Sequence, residues 1–165
     1  MAVADEFLKA NRRYAETFEK GALALPPSRK VAIVACMDAR LDPARALGLE
    51  EGDAHVIRNA GGRIADALRS LAISQTLLGT EEVVIIHHTD CGMLTFSDES
   101  IRRDLRDKRR VDADAVAFLP FKDLDGSIHD DIAAYKASSL VRTDVPVRGF
   151  IYDVKTGKLR EVESR

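Results

Sequence analysis

Two cysteines and one histidine carry the first chemical signal in this 165-residue sequence: Cys36, and the pair His88 and Cys91 within the run His88-Thr89-Asp90-Cys91. Thiolate and imidazole are the donors zinc favours, and a catalytic zinc site keeps three protein ligands with a fourth position for water. Asp38 and Arg40 follow Cys36 closely, and a carboxylate fixed by a guanidinium through a charge-assisted contact can orient such a water. Spacing alone leaves two readings open. The three residues could hold one metal, or the cysteines could be small buried hydrophobes beside an unrelated histidine. Asp38 and Arg40 could likewise be an ordinary loop ion pair.

A shared site requires elements that bring residue 36 to residues 88 and 91. Val31 to Ala35 is a short β-branched apolar run suited to a strand buried on both faces, and Cys36 stands where it stops. Asp42 and Pro43 supply an N-cap and a first-turn proline for a short helix closed near Gly48 to Gly52. Ala54 to Asn59 reads as a second strand, followed by a turn at Ala60-Gly61-Gly62 whose flexible backbone suits a pocket wall. Apolar residues then recur at helical spacing from Ile64 to Leu78, with Gly79 as the stop. Glu82 to His87 is a third strand. Such alternation predicts parallel strands joined by right-handed crossovers, with sites beyond their carboxyl ends, and both Cys36 and His88 fall there.

The outer segments predict a helix over Ala4 to Lys20, a second from Ser127 to Leu140 capped by Asp125 or Ser127, and a strand from Val147 to Val154. Thr156-Gly157 turns that strand into Lys158 to Val162, giving a terminal hairpin. The charged stretch from Ile101 to Arg110 reads as a solvated helix or a mobile excursion, so the path of residues 97–117 is left open.

A formal charge of −2 with 45% hydrophobic and 32% charged residues places residues 1–165 as one globular domain and gives no polyanion-binding signature. Asp104 and Asp107 interrupt the basic run and no stacking aromatics are interleaved, so no nucleic-acid partner is expected. No apolar run approaches the roughly 20 residues of a membrane span, and charges lie where a signal peptide would be apolar. The expected location is cytoplasmic, where two cysteines do not imply a disulfide. His55, His87 and His129 read as structural or surface histidines in preference to proton shuttles. Asp90, between His88 and Cys91, could orient backbone or a side chain nearby, and its role is not assigned.

Taken in order, Cys36-Met37-Asp38-Ala39-Arg40, Arg58-Asn59-Ala60-Gly61 and His88-Thr89-Asp90-Cys91-Gly92-Met93 resemble the β-class carbonic anhydrases, and HTDCGM is similar to their small prokaryotic branch. The resemblance runs from about Val31 to Met93, and the terminal RGFIYDVKTGKL is similar to the family's last strands. It implies Zn²⁺ on Cys36, His88 and Cys91, a catalytic dyad of Asp38 and Arg40, and Asp38 able to act as fourth ligand in a closed, inactive state. It also implies an α/β fold: a mostly parallel sheet with flanking helices, a C-terminal edge strand or hairpin, and an N-terminal helix extending to a dimer partner. The assembly implied is a homodimer or higher homo-oligomer with active sites near the interface. Where Gly62 stands the family more often carries Asn.

The activity implied is reversible hydration of carbon dioxide to bicarbonate and a proton, by attack of zinc-bound hydroxide on a small-molecule substrate. Two thiolates nearly cancel the metal's charge, so the bound water is expected to be less acidic than in a three-histidine site, where its pKa is about 7, and activity should favour alkaline pH. Hydrolysis of carbonyl sulfide or carbon disulfide on the same scaffold is the alternative. A noncatalytic zinc or thiol redox protein is a third reading. The Asp38 and Arg40 pair argues against it, because a structural zinc site needs four protein ligands and no water-orienting dyad.

Overall fold

The apolar run Val31–Cys36 forms β1, and every residue in it after Val31 is buried, as a central strand covered on both faces requires. The structure, a computed structural model, describes residues 2–163. β1 lies parallel to β2 (Ala54–Asn59) on one side and to β3 (Glu82–His88) on the other. β4 (Val147–Tyr152) continues the parallel set beside β3, and β5 (Leu159–Val162) closes it antiparallel to β4. The strand order is β2-β1-β3-β4-β5. The register pairs Cys36 with Asn59 and His88 with Tyr152, so both chemically active strand ends emerge on the same edge of the sheet.

Five helices accompany the sheet among the described residues: α1 (Val3–Ala15), α2 (Pro43–Leu47), α3 (Ile64–Leu78), α4 (Asp98–Arg109) and α5 (Leu124–Ala137). α3 and α5 cover one face, where Ile64, Ala67, Leu71, Ile128, Ile132 and Tyr135 pack on Ala32, Val34, Val83 and Ile85. Full burial of a side chain such as Leu71 contributes about 1.5–3 kcal/mol. The other face is covered more thinly: Leu41, Met93 and Phe121 join Ile33, Ala35, Ile86, Cys36 and Cys91, and Leu47 and Leu49 pack beside them. Farther down, Val31, Ile33, Val84, Ile86, Phe150 and Leu159 line an apolar groove of about 240 Å³.

The short helix α2 starts as its sequence predicts, with the Asp42 carboxylate accepting from Ala44 N and Arg45 N, and Gly48 ends it in the left-handed region. The hairpin of β4 and β5 and the helix α3 also match their sequence signals. Several boundaries differ: β4 ends at Tyr152 instead of Val154, and α5 ends at Ala137 instead of Leu140. α5 begins at Leu124 and is capped by Asp123, whose carboxylate accepts from Gly126 N, instead of by Asp125 or Ser127. Ser127 is drawn inside the first turn because its hydroxyl donates to Leu124 O and meets the buried ring of His87, a tertiary demand that local capping rules do not contain. α1 stops at Ala15 instead of Lys20, and the chain then bends so that Lys20 Nζ pairs with Glu50 and Glu51. The charged stretch before Arg110 is helical, in α4, with Ser97 and Ser100 forming a reciprocal cap at its start.

Candidate metal centre

β1 ends at Cys36 and its chain direction is held for one more residue by Met37 N donating to Asn59 O at 2.9 Å. The next five residues form a loop gathered by one side chain, Arg58. Its guanidinium donates to Cys36 O at 2.9 and 3.1 Å, to Asp38 O at 2.7 Å and to Leu41 O at 2.8 Å. From the other strand, β3 ends at His88, Thr89 N donates to Tyr152 O, and Asp90 turns the chain with φ +55°. That reversal brings Cys91 back beneath His88. Cys36, His88 and Cys91 are all buried, and one donor atom from each lies within 4.8 Å of the others.

The ring of His88 has a defined orientation. Its Nδ1 faces Thr89 O at 2.8 Å, which can only accept, so Nδ1 carries the proton and Nε2 keeps its lone pair. Nε2 is buried with no hydrogen-bond partner. A buried imidazole nitrogen left unpaired is costly unless something else occupies its lone pair, and two sulfur atoms converge on the same point. The Sγ atoms are 4.0 Å apart and share a hydrogen bond. That contact with Cys91, followed by the His88 ring and the amides of Asp38 and Gly61, holds the Cys36 thiol far below its ordinary value, to about 4 against the opposing effect of burial. The same contact with Cys36, aided by burial, pushes Cys91 up. Burial pulls His88 down, but the Cys36 contact and the Thr89 carbonyl outweigh it and leave its pKa raised. Two sulfurs and one imidazole fit zinc and leave room for a fourth ligand.

Asp38 stands over this set with Oδ2 3.7 Å from His88 Nε2. Arg40 grips it twice: its backbone N and Nε donate to Oδ1 at 2.8 and 3.0 Å, and Nη2 donates to Oδ2 at 2.8 Å. The Arg40 guanidinium holds the Asp38 carboxyl well below the usual carboxylate range. Arg40 also reaches across to Asp90, with Nη1 on Oδ2 at 2.7 Å and Nη2 on the backbone O at 3.0 Å. The five residues singled out in the sequence are therefore in one place.

A cavity of about 410 Å³ opens onto Cys36, Asp38 and Cys91, and its other walls include Met37, Gly61, Met93, Phe96, Ile101 and Phe118. Gly61 is a wall residue, as the flexible turn suggests. Gly62 lies behind it, with φ +70°, and a Cβ there would sit 2.9 Å from Cys36 N and 3.0 Å from Ile86 O. A larger cleft of about 680 Å³ beside Lys122, Lys158 and Arg160 contains none of the three donors, so size does not mark the site here. His55, His87 and His129 do not line the cavity. His55 meets Ser74, and His87 is buried between Ser127 and Asp131 and stacked on Phe121. Spacing alone gave no sign of the roles of Arg58 and Asp90 or of the apolar walls Phe96, Ile101 and Phe118, because each depends on chain crossing from a distant segment.

The sequence profile described as "Carbonic anhydrase" matches residues 31–115. "Beta-carbonic anhydrase 1" of Mycobacterium tuberculosis is 47% identical over 165 residues, covering 98% of this chain and 99% of that one. "Carbon disulfide hydrolase" of Saccharolobus solfataricus is 32% identical, with coverage of 98% and 89%. Among solved structures, the carbonic anhydrase of Streptococcus mutans superposes with a TM-score of 0.94 at 49% identity, covering 99% of both chains.

Proposed function

The chain belongs to the β-carbonic anhydrase family, and from that premise we propose that it hydrates carbon dioxide reversibly to bicarbonate and a proton, with zinc on Cys36, His88 and Cys91. The observation that carries the reading is a set of three donors with an orphaned His88 Nε2 beside a carboxylate that Arg40 grips from two sides. When bound, zinc supplies a Lewis acid that makes a water nucleophilic near neutral pH. Every other part of the task falls to the chain.

Asp38 Oδ2 accepts one hydrogen bond from Arg40 and keeps acceptor capacity on the side facing His88. It is placed to accept a hydrogen bond from the attacking water and fix its orientation toward the substrate. Arg40 keeps that carboxylate ionised and held in place, which restrains it from the closed state in which Asp38 itself would bind the metal. The walls formed by Met37, Met93, Phe96, Ile101 and Phe118 suit a small, linear, apolar substrate.

Carbon disulfide hydrolysis is the second reading, favoured by the 32% identity to a hydrolase of that name, but the 47% identity to a carbonic anhydrase supports carbon dioxide. Stopped-flow hydration and sulfide-release rates on zinc-loaded protein at alkaline pH separate the two. Hydration is expected to dominate, and negligible carbon dioxide turnover sinks the reading. Asp38→Ala and Arg40→Ala should each lower kcat/KM about 10- to 100-fold; unchanged turnover in both removes their roles.

The assembly proposed is a homodimer. α1 buries none of its residues within the chain, Phe7, Leu8 and Tyr14 are exposed along it and Phe18 just beyond it, and the apolar groove on the sheet is of a kind that such a helix from a second copy can cover. No helix among the described residues is long and apolar enough to cross a membrane, and the cytoplasm is the proposed location.

A further inference from the structure

Asp90 lies between the donors His88 and Cys91, yet its side chain has no part in the reaction described so far. Its backbone occupies the left-handed region at φ +55°, uncommon for a residue other than glycine. In that conformation both its carboxylate and its carbonyl meet the same guanidinium, Oδ2 accepting from Arg40 Nη1 at 2.7 Å and the backbone O from Nη2 at 3.0 Å. Arg40 is thus held along two edges, one by Asp38 and the other by Asp90.

The second grip is needed because Arg40 is a long side chain, 46% exposed, and a single exposed ion pair fixes such a chain only weakly. Asp90 comes from the β3 end and Asp38 from the β1 end, so the guanidinium also ties the two donor-bearing loops to one another across 50 residues of sequence.

We propose that Asp90 is a positioning residue for carbon dioxide hydration: it holds Arg40 in the plane that keeps Asp38 oriented beside the metal position. The inference rests on the function proposed above, and its action runs entirely through Arg40. Asp90→Ala should lower kcat/KM about 10-fold while zinc content stays unchanged. Asp90→Asn should recover most of that loss, since an amide oxygen still accepts from Nη1. In an Arg40→Ala background, Asp90→Ala should cost nothing more.

A readout free of turnover accompanies these rates. The Arg40 Nε–H resonance, assigned by its loss in Arg40→Ala, should be sharp in the zinc-free and zinc-loaded wild type and in Asp90→Asn, and broadened in Asp90→Ala. An unchanged resonance in Asp90→Ala overturns the proposal. So does a loss of rate that persists in full without Arg40, or a loss of zinc that Asp90→Asn does not restore. A wild type that sharpens this resonance but hydrates no carbon dioxide would refute the proposed function and leave the positioning role standing.

Discussion

Cys36 and Cys91 lie 4.0 Å apart, and the contact between them lowers the Cys36 thiol and pushes Cys91 up. Zinc needs both as thiolates, so binding expels the Cys91 proton. The sign follows: the free protein keeps that proton below the raised Cys91 pKa, the bound protein does not, and affinity therefore strengthens as pH rises. Competition against a chromophoric chelator between pH 6 and 8 should show zinc Kd falling about tenfold per pH unit, and more steeply at the acid end where His88, also raised, carries a proton. A flat profile would mean that both thiols are already ionised in the free protein. The donors were legible in the sequence through the resemblance of their motifs to a family, since residue type and spacing alone left a metal site and a coincidence both open. The role of Asp90 was not, since its partner Arg40 is 50 residues away and no local spacing joins them.

Strand ends become a site only if they approach closely, and Gly62 sets that approach. Its missing side chain lets the turn after β2 rest on the backbone of Cys36 in β1 and Ile86 in β3. The Asn more usual in the family at this position has no room here. Gly62→Ala should destabilise the fold by about 2–5 kcal/mol, combining left-handed strain with a clash against backbone that cannot yield. It should also reduce zinc content, because the nearest atom is Cys36 N. Gly48 is the control: its φ is +64° but nothing lies within 4 Å of its Cβ position, so Gly48→Ala carries only the strain, about 1 kcal/mol. Equal melting temperatures for the two variants would refute the packing argument. The same elements show why strands and α3 could be read while α5 was misplaced: apolar periodicity reports burial of whole faces, whereas the start of α5 is fixed by Ser127 reaching His87 on another element. Arg58 stood in a recognised motif, but its role was not legible there for a related reason, since its three partners are backbone carbonyls.

At the scale of the whole molecule, α1 is hard to explain within one chain. A helix of 13 residues is marginal in water, and this one is fastened only near its end, by Tyr14 on Glu51 and by Lys20 beyond it. Its apolar side, with Phe7 68% and Leu8 60% exposed, stands open among the described residues, while the sheet's less covered face carries an apolar groove. Exchange between two copies resolves both at once, and a twofold arrangement buries the pair of helices symmetrically. Each Phe so covered contributes about 1.5–3 kcal/mol, so removing two per chain disrupts association without touching the intrachain core. Sedimentation velocity at micromolar concentration should give twice the chain mass for the wild type and the chain mass for a Phe7→Asp/Phe18→Asp variant. Thermal unfolding adds an independent measure: the wild-type Tm should rise with protein concentration, as dimer dissociation coupled to unfolding requires, and the variant's should not. A wild type that sediments as a monomer, with a Tm independent of concentration, would require α1 to cover some other surface. The position of Met37, 65% exposed at the cavity mouth, makes a second consequence measurable. If the partner closes that mouth, the monomeric variant should lose hydration rate while still binding zinc.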